Sequence, residues 1–443
     1  MSSLIKSVRG RRVWDSRGRP TVETQITLAD GRTGRAMAPA GASTGSAEAV
    51  DRRDGGSAFG GYDVQGALAA VNGEIAGMLA GREVCDQAAL DAALIALDGT
   101  PNKSRLGGNA IVASSMAIAH AAAAAQGLPL WRYLATGRGD FFLPLPEVQI
   151  FGGGAHAGRR VDVQDFMVIA VGAADYAQAL EWTAEVYRCA GVLMNEAGLL
   201  AGVADEGGWW PAFDSNEAAL DFLLRAIERA GYTPGQDVAI SLDIAATDFG
   251  RQGEYALARD GRRIDSDGLS EMLLGWLARY PVVAIEDPLA EDDAEGLRKF
   301  TAAAGDKVEV VADDFICTNA GRIAIAAAQG ACNTALIKPN QAGTLSETRA
   351  ALDSARAAGW ESIVSARSGE TEDVTIVHLA VGWGAKQLKV GSFARSERMA
   401  KWNEGLRLAE ALEQGGGSLA PRASFPWGRF ELPASHILAK TNI

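Results

Sequence analysis

VVAIED (residues 282–287), VEVVADD (308–314), TALIK (334–338), SIVS (362–365) and QLK (387–389) are short apolar runs that each end on a polar or charged residue. VAISLD (238–243) does the same upstream and ends at Asp243. From Glu286 the endings step to Asp313, Lys338, Ser365 and Lys389, intervals of 27, 25, 27 and 24 residues. One strand, one helix and two loops take about that length in a barrel of alternating strands and helices. The strand C-termini of such a barrel converge on one face, where chemistry is done. Asp243, Glu286, Asp313, Lys338 and Lys389 are therefore expected to meet in one pocket. Three carboxylates and two lysines suit a divalent metal, a general base and an anionic substrate.

Upstream the pattern changes. RRVW, TVETQITLAD and TGRAMAP, between residues 5 and 39, alternate as strands do and bracket a turn at Gly31. GASTG (41–45) is a loop of small residues, and helical periodicity follows at 64–79, 87–97 and 107–125. Strands first and helices after indicate an α+β domain. GRGDFFLPLPEV (137–148) reads as a boundary, which divides the chain into a smaller α+β domain at 1–138 and an α/β barrel at 139–443. In the second part helices are expected at 174–197, 216–230, 267–280, 292–304, 319–329 and 346–358.

Composition narrows the class. With 443 residues the chain is long enough for a barrel and a smaller partner. Forty-two Lys and Arg against 55 Asp and Glu leave a net charge of −13, which argues against a nucleic-acid partner. Cys85, Cys189, Cys317 and Cys332 show no C-x-x-C spacing and read as reduced thiols of a cytoplasmic protein. His120, His156, His378 and His436 form no zinc pattern. The N-terminus lacks an apolar segment of the secretory kind. Residues 110–125, Ala-rich with two serines and His120, are too short and polar for a membrane span and read as a buried helix.

Each candidate has a plain structural alternative. One acid at a strand end is usually a helix cap; three on successive strand ends exceed that explanation. Asp287, Asp314 and Asp248 are better placed to cap or support. Lys338 is either a solvated residue or salt-bridge partner of the acids or a general base, its pKa lowered by positive neighbours such as Lys389 and the metal ions. Glu206, before Gly207 and Gly208 in ADEGGWWP, is either a surface turn residue or a carboxyl projecting into a cleft. His156 sits among small residues in GGGAHAG, and Gln164 and Asp165 follow in VDVQDF. Arg367 and Ser368 suit a phosphate, and the same segment also reads as a helix start with Ser368 or Thr371 as cap.

Together these segments resemble the enolase family, over nearly the whole chain. WDSRGRPTVE, PAGASTG, LDGTPNKSRLGGNAI, GGGAHAG, QDFM, DEGG, SLDIAAT, IEDP, ADDF, LIKPNQAGTLSET, RSGETED and ARSERMAK occur in the family's order. The resemblance implies an enolase-type (β/α)8-like barrel whose first strands depart from strict alternation, behind a smaller N-terminal α+β domain. It implies dehydration of 2-phosphoglycerate to phosphoenolpyruvate with two Mg2+ per active site; the enolase superfamily is a known instance of a lysine or histidine base working beside Mg2+. Carried over by residue, Asp243, Glu286 and Asp313 hold one Mg2+, and Ser43 helps to hold the other on a closing loop. Lys338 removes the C2 proton, Lys389 stabilises the enolate and Glu206 assists departure of the 3-hydroxyl. Asp165 belongs to the same catalytic group. Arg367 and Ser368 hold the phosphate, and His156, Gln164 and Lys389 line the pocket.

Four departures from the family pattern fall around these residues. Ala366 stands where the family has histidine, Asp165 where it has glutamate, and Gly152 where it has asparagine. Trp209–Trp210 replaces Phe-Ala and is expected to add aromatic bulk near Glu206. The deprotonation apparatus is whole and the recognition shell is edited. Three readings follow: a lyase acting on 2-phosphoglycerate; an enolase-like synthase of a phosphonate pathway, of the carboxyphosphonoenolpyruvate type; and a non-catalytic binding protein on the same scaffold. The implied partners are a small phosphorylated or phosphonylated anion and a second copy of the chain, as homodimer or higher oligomer, with no membrane.

Overall fold

The structure is a computed structural model and describes residues 3–135, 137–259, 261–413 and 418–429. His436 lies outside them. Near the N-terminus, β1 (Ile5–Trp14), β2 (Pro20–Leu28) and β3 (Thr33–Met37) form an antiparallel meander. A 19-residue helix, Gly108–Gln126, packs across it with almost every side chain buried. Its alanines are explained by proximity: a Cβ on Gly34 of β3 would collide with the backbone of Ala117 and Ala121. This helix matches the length expected at 107–125; contrary to the reading of 110–125 as too short and polar, it is long and apolar enough to cross a membrane, yet 83% of its apolar window is buried inside the protein.

The second region is a closed barrel. Its strands are β4 (Leu145–Gly152), β5 (Asp165–Ile169), β6 (Ala239–Asp243), β7 (Val282–Glu286), β8 (Glu309–Ala312), β9 (Thr334–Ile337), β10 (Glu361–Ser365) and β11 (Gln387–Gly391). They pair in chain order, and β11 returns to β4. Their near-continuous burial explains the apolar runs, because both faces of each strand are covered. Ala284, Val311, Leu336 and Ile363 fill the interior between them. Truncating Leu336 to alanine there would cost about 2–5 kcal/mol through the cavity left behind.

One strand runs against the rest. β5 is antiparallel to both β4 and β6, whereas the other neighbours are parallel. Two helices, Tyr176–Glu196 and Asn216–Arg229, then lead to β6. The reversal matters for function. The first residue of β5, Asp165, pairs with Gly152 and Asp243, the last residues of its neighbours. A reversed strand therefore delivers its opening residues to the mouth at which the other strands end.

Helix ends follow local chemistry. Asp175, Ser215, Asp293, Asn319 and Thr344 each cap a following helix by accepting a backbone N–H. The helix expected after Arg367 begins later, at Thr375, and neither Ser368 nor Thr371 caps it. Asp373 instead accepts the Thr375 N–H at 2.7 Å. That helix, Thr375–Trp383, is buried on every side and so shows no amphipathic period.

Candidate active site

Strand register brings the predicted residues together. Asp243 and Glu286 are register partners on β6 and β7, and Ser365 and Lys389 are partners on β10 and β11. Asp313 and Lys338 directly follow β8 and β9. Ser43, His156, Gln164, Glu206, Asp243, Asp313, Lys338, Ala366, Arg367, Ser368 and Lys389 line one pocket at this mouth. Glu286 lies behind Lys389, and Asp165 lies beneath His156.

The charges are paired in a definite way. Lys389 Nζ donates to Asp243 Oδ2 at 2.8 Å and Glu286 Oε2 at 2.7 Å, with Asp165 Oδ2 at 3.8 Å. Burial would lower the Lys389 pKa, but Asp243 and Glu286 outweigh it and hold the ammonium well above its usual range. Lys338 donates to Asp313, whose other oxygen accepts from Gln341 at 2.8 Å. Burial again favours the neutral amine, and Asp313 again wins, so the Lys338 pKa is raised. With no cation bound, the carboxylate beside Lys338 outweighs its cationic neighbours Arg367 and Lys389. Burial and the charge on Asp243 push Glu286 well above the carboxylate range, despite Lys389.

Asp287 supports the acids from the side. Its two oxygens accept the backbone N–H of Asp313 and Asp314, each at 2.9 Å. Burial and the Asp313 charge push it up to about 8 against those donors. The supporting role read from sequence for Asp287 therefore holds in the geometry. Asp248 accepts from Ser43 Oγ at 3.3 Å.

On the reversed strand, Asp165 Oδ1 meets His156 Nδ1 at 3.0 Å and also accepts from Gln149. His156 Nε2 lies 3.9 Å from Glu206. Burial would lower the His156 pKa, but Asp165 and Glu206 raise it to about 9. Glu206 is buried, not a surface turn residue. It is held by a turn in which Gly207 has φ 94°, where a Cβ would collide with Ala394.

The edited positions divide. Ala366 lines the pocket, and Asp165 reaches its histidine despite its short side chain. Gly152 does not line it; a Cβ there would collide with Ala204. The expected aromatic bulk beside Glu206 is corrected. Trp209 stacks on Tyr187 with ring centroids 4.6 Å apart and donates to the Tyr187 carbonyl at 2.9 Å. The Trp210 ring lies over Gly158. Neither indole lines the pocket. Arg367 is also not a free fork: its Nη1 donates to Glu48 at 2.9 Å and to Asn340 at 3.2 Å. Sequence reasoning missed Glu48, Gln149 and Gln341; only Gln341, three residues after Lys338, carried a local signal.

The donor set fits a hard divalent cation. It offers only oxygen ligands from Asp243, Glu286 and Asp313, and among the described residues Glu286 Oε1 and Gln164 Oε1 are buried without partners. His156, Asp165 and Glu206 form one tight group of potential ligands, and Asp287, Asp313 and Asp314 another.

The mouth of a closed barrel thus sets two lysines against buried carboxylates. Residues 5–134 match the family description "Enolase, N-terminal domain", and residues 140–420 match "Enolase, C-terminal TIM barrel domain". An enolase of Acidothermus cellulolyticus is 46% identical over 424 residues, which cover 96% of this chain and 98% of that protein. The chain belongs to the enolase family and is an enolase-type lyase.

Proposed function

We propose that the protein is a magnesium-dependent enolase acting on 2-phosphoglycerate. The carrying observation is the opposition of Lys338 and Lys389 across the carboxylates of β6, β7 and β8. Asp243, Glu286 and Asp313 would hold a first Mg2+, and Ser43 would help to hold a second. Bound there, the two ions supply positive charge that stabilises the enolate oxygens. Lys338 Nζ takes the C2 proton. It accepts a proton only as the amine, so Asp313 must first be claimed by another cation. Lys389 keeps its proton and faces the substrate carboxylate. Glu206 delivers a proton to the departing 3-hydroxyl, with His156 beside it. Arg367 and Ser368 hold the phosphate, and Gln164 orients the substrate.

A second reading rests on Ala366. Its methyl group lines the pocket where an imidazole would add bulk and a donor. That space suits a larger phosphorus substituent, as in an enolase-like synthase of phosphonates. One assay separates the readings. Protein, Mg2+ and 2-phosphoglycerate are mixed and enol absorbance is followed. Turnover supports the first; exchange of the C2 proton with deuterated water without product supports the second; neither signal, with no Mg2+ binding, rejects both. Ala366→His is expected to raise turnover of 2-phosphoglycerate several-fold, and an unchanged rate rules out the missing imidazole as the limit. The same reading makes the protein a cytoplasmic homo-oligomer with its domain boundary at residues 138–139, between the matched segments that end at residue 134 and begin at residue 140. Sedimentation tests the oligomer.

A further inference from the structure

Glu48 follows the GASTG loop that carries Ser43 to the mouth, and its carboxylate reaches three separate parts of the protein. Oε1 accepts from the Gly45 N–H at 3.0 Å, which folds the loop onto itself. Both oxygens engage Arg367 end on, Oε2 from Nη1 at 2.9 Å and Oε1 from Nη2 at 3.2 Å. Oε1 also accepts from Gln341 Nε2 at 3.2 Å, and that same nitrogen donates to Asp313 Oδ1 at 2.8 Å. Arg367 closes the circuit by donating from Nη2 to the Ser43 carbonyl at 2.8 Å.

This pair is withdrawn from water, with the Arg367 and Glu48 side chains 3% and 7% exposed. Breaking a buried pair leaves an uncompensated charge, so its geometry is strongly held. The loop's other ties lie nearer the surface: Ser46 donates from its N–H and its Oγ to Glu291 Oε2 at 3.1 and 3.0 Å, Ser43 Oγ donates to Asp248 at 3.3 Å, and Ala42, Thr44, Ser46 and Ala47 are exposed. The four Nη hydrogens of Arg367 are divided among Glu48, Asn340 and Ser43. The loop therefore cannot lift away without releasing Arg367 on one side and Gln341, with Asp313, on the other.

The geometry points to Glu48 as a positioning residue that couples seating of the Ser43 loop to the aim of Arg367 and Asp313. Its meaning for catalysis rests on the function proposed above, in which Arg367 holds the phosphate and Asp313 a metal ion. Glu48 touches neither substrate nor metal in this role.

Hydrogen exchange of residues 41–48, measured on the full chain without substrate, tests the coupling. Glu48→Ala is expected to speed exchange about tenfold, the loss of one charge-assisted bond. Arg367→Gln should give a similar increase, and the double variant no more than either alone, because both remove one shared interaction. The barrel strands should exchange as in the wild type. Glu48→Gln, which keeps the shape, carries the test if the alanine variant does not fold. With 2-phosphoglycerate and Mg2+, Glu48→Gln should raise KM about tenfold and lower kcat less. Wild-type loop exchange in the variants, additive increases in the double variant, or an unmoved KM overturns the coupling. If the wild type does not turn over 2-phosphoglycerate, the function reading fails while the exchange experiment still decides this one.

Discussion

The two ends of one barrel hold the same kind of side chain against different partners. At the mouth, Asp243, Glu286 and Asp313 each face a lysine ammonium. At the other end, Glu309 opens β8, wholly buried, and among the described residues no cation lowers its pKa. It accepts from Trp427 Nε1 at 2.9 Å, and the Gln387 amide nitrogen, once oriented to donate, lies 2.7 Å from its other oxygen. Burial, aided by the charges on Glu147 and Glu361, pushes Glu309 up to about 8. Glu147, midway down, is also raised by burial and is bonded to Ser241. The difference teaches that a buried carboxyl is not in itself a sign of catalysis. Opposed amines mark the functional end; neutral hydrogen-bond donors mark the structural end.

That contrast can be broken by experiment. Lys338→Ala should cause the largest change, a fall of about 10^4-fold in kcat/KM for 2-phosphoglycerate and loss of C2 proton exchange. Persistent exchange would place the base elsewhere. Lys389→Met should strip Asp243 and Glu286 of their cation and cost the metal-free protein about 3–5 kcal/mol in urea unfolding. Added Mg2+ should restore much of that loss; an Mg2+-independent deficit would show that these acids do not take the ion.

Glu309→Gln should act in the other direction and more weakly. A folded-state pKa of about 8 lies above the ordinary glutamate value, so the neutral acid's contribution is complete below about pH 4.3. It is lost as the pH rises through about 8. The glutamine variant should therefore match the wild type at low pH and become progressively the more stable of the two as the pH rises from about 4.3 through about 8. A variant less stable at high pH would mean that Glu309 is ionised in the fold.

Much of this was legible along the chain. The acids and lysines of β6 to β9 and β11 announced themselves because a strand buried on both faces must be apolar until it leaves the barrel. Helices with one wet face were equally readable, as at Asn216–Arg229. Thr375–Trp383 was not, since burial on every side erases the period. The direction of β5 was hidden too, because a period of two reads the same both ways. The outward stacking of Trp209 depended on Tyr187, 22 residues away, and the Glu48–Arg367 pair joins residues 319 apart.

The sequence by itself determined the barrel, its spacing and the chemistry of the strand ends, because hydrophobic periodicity and residue type are local properties. Only the tertiary structure decided which charge neutralises which, where the tryptophans turn and how the Ser43 loop is tied down. Those outcomes depend on distances of about 3 Å between distant segments, and electrostatic pairing changes steeply over that range.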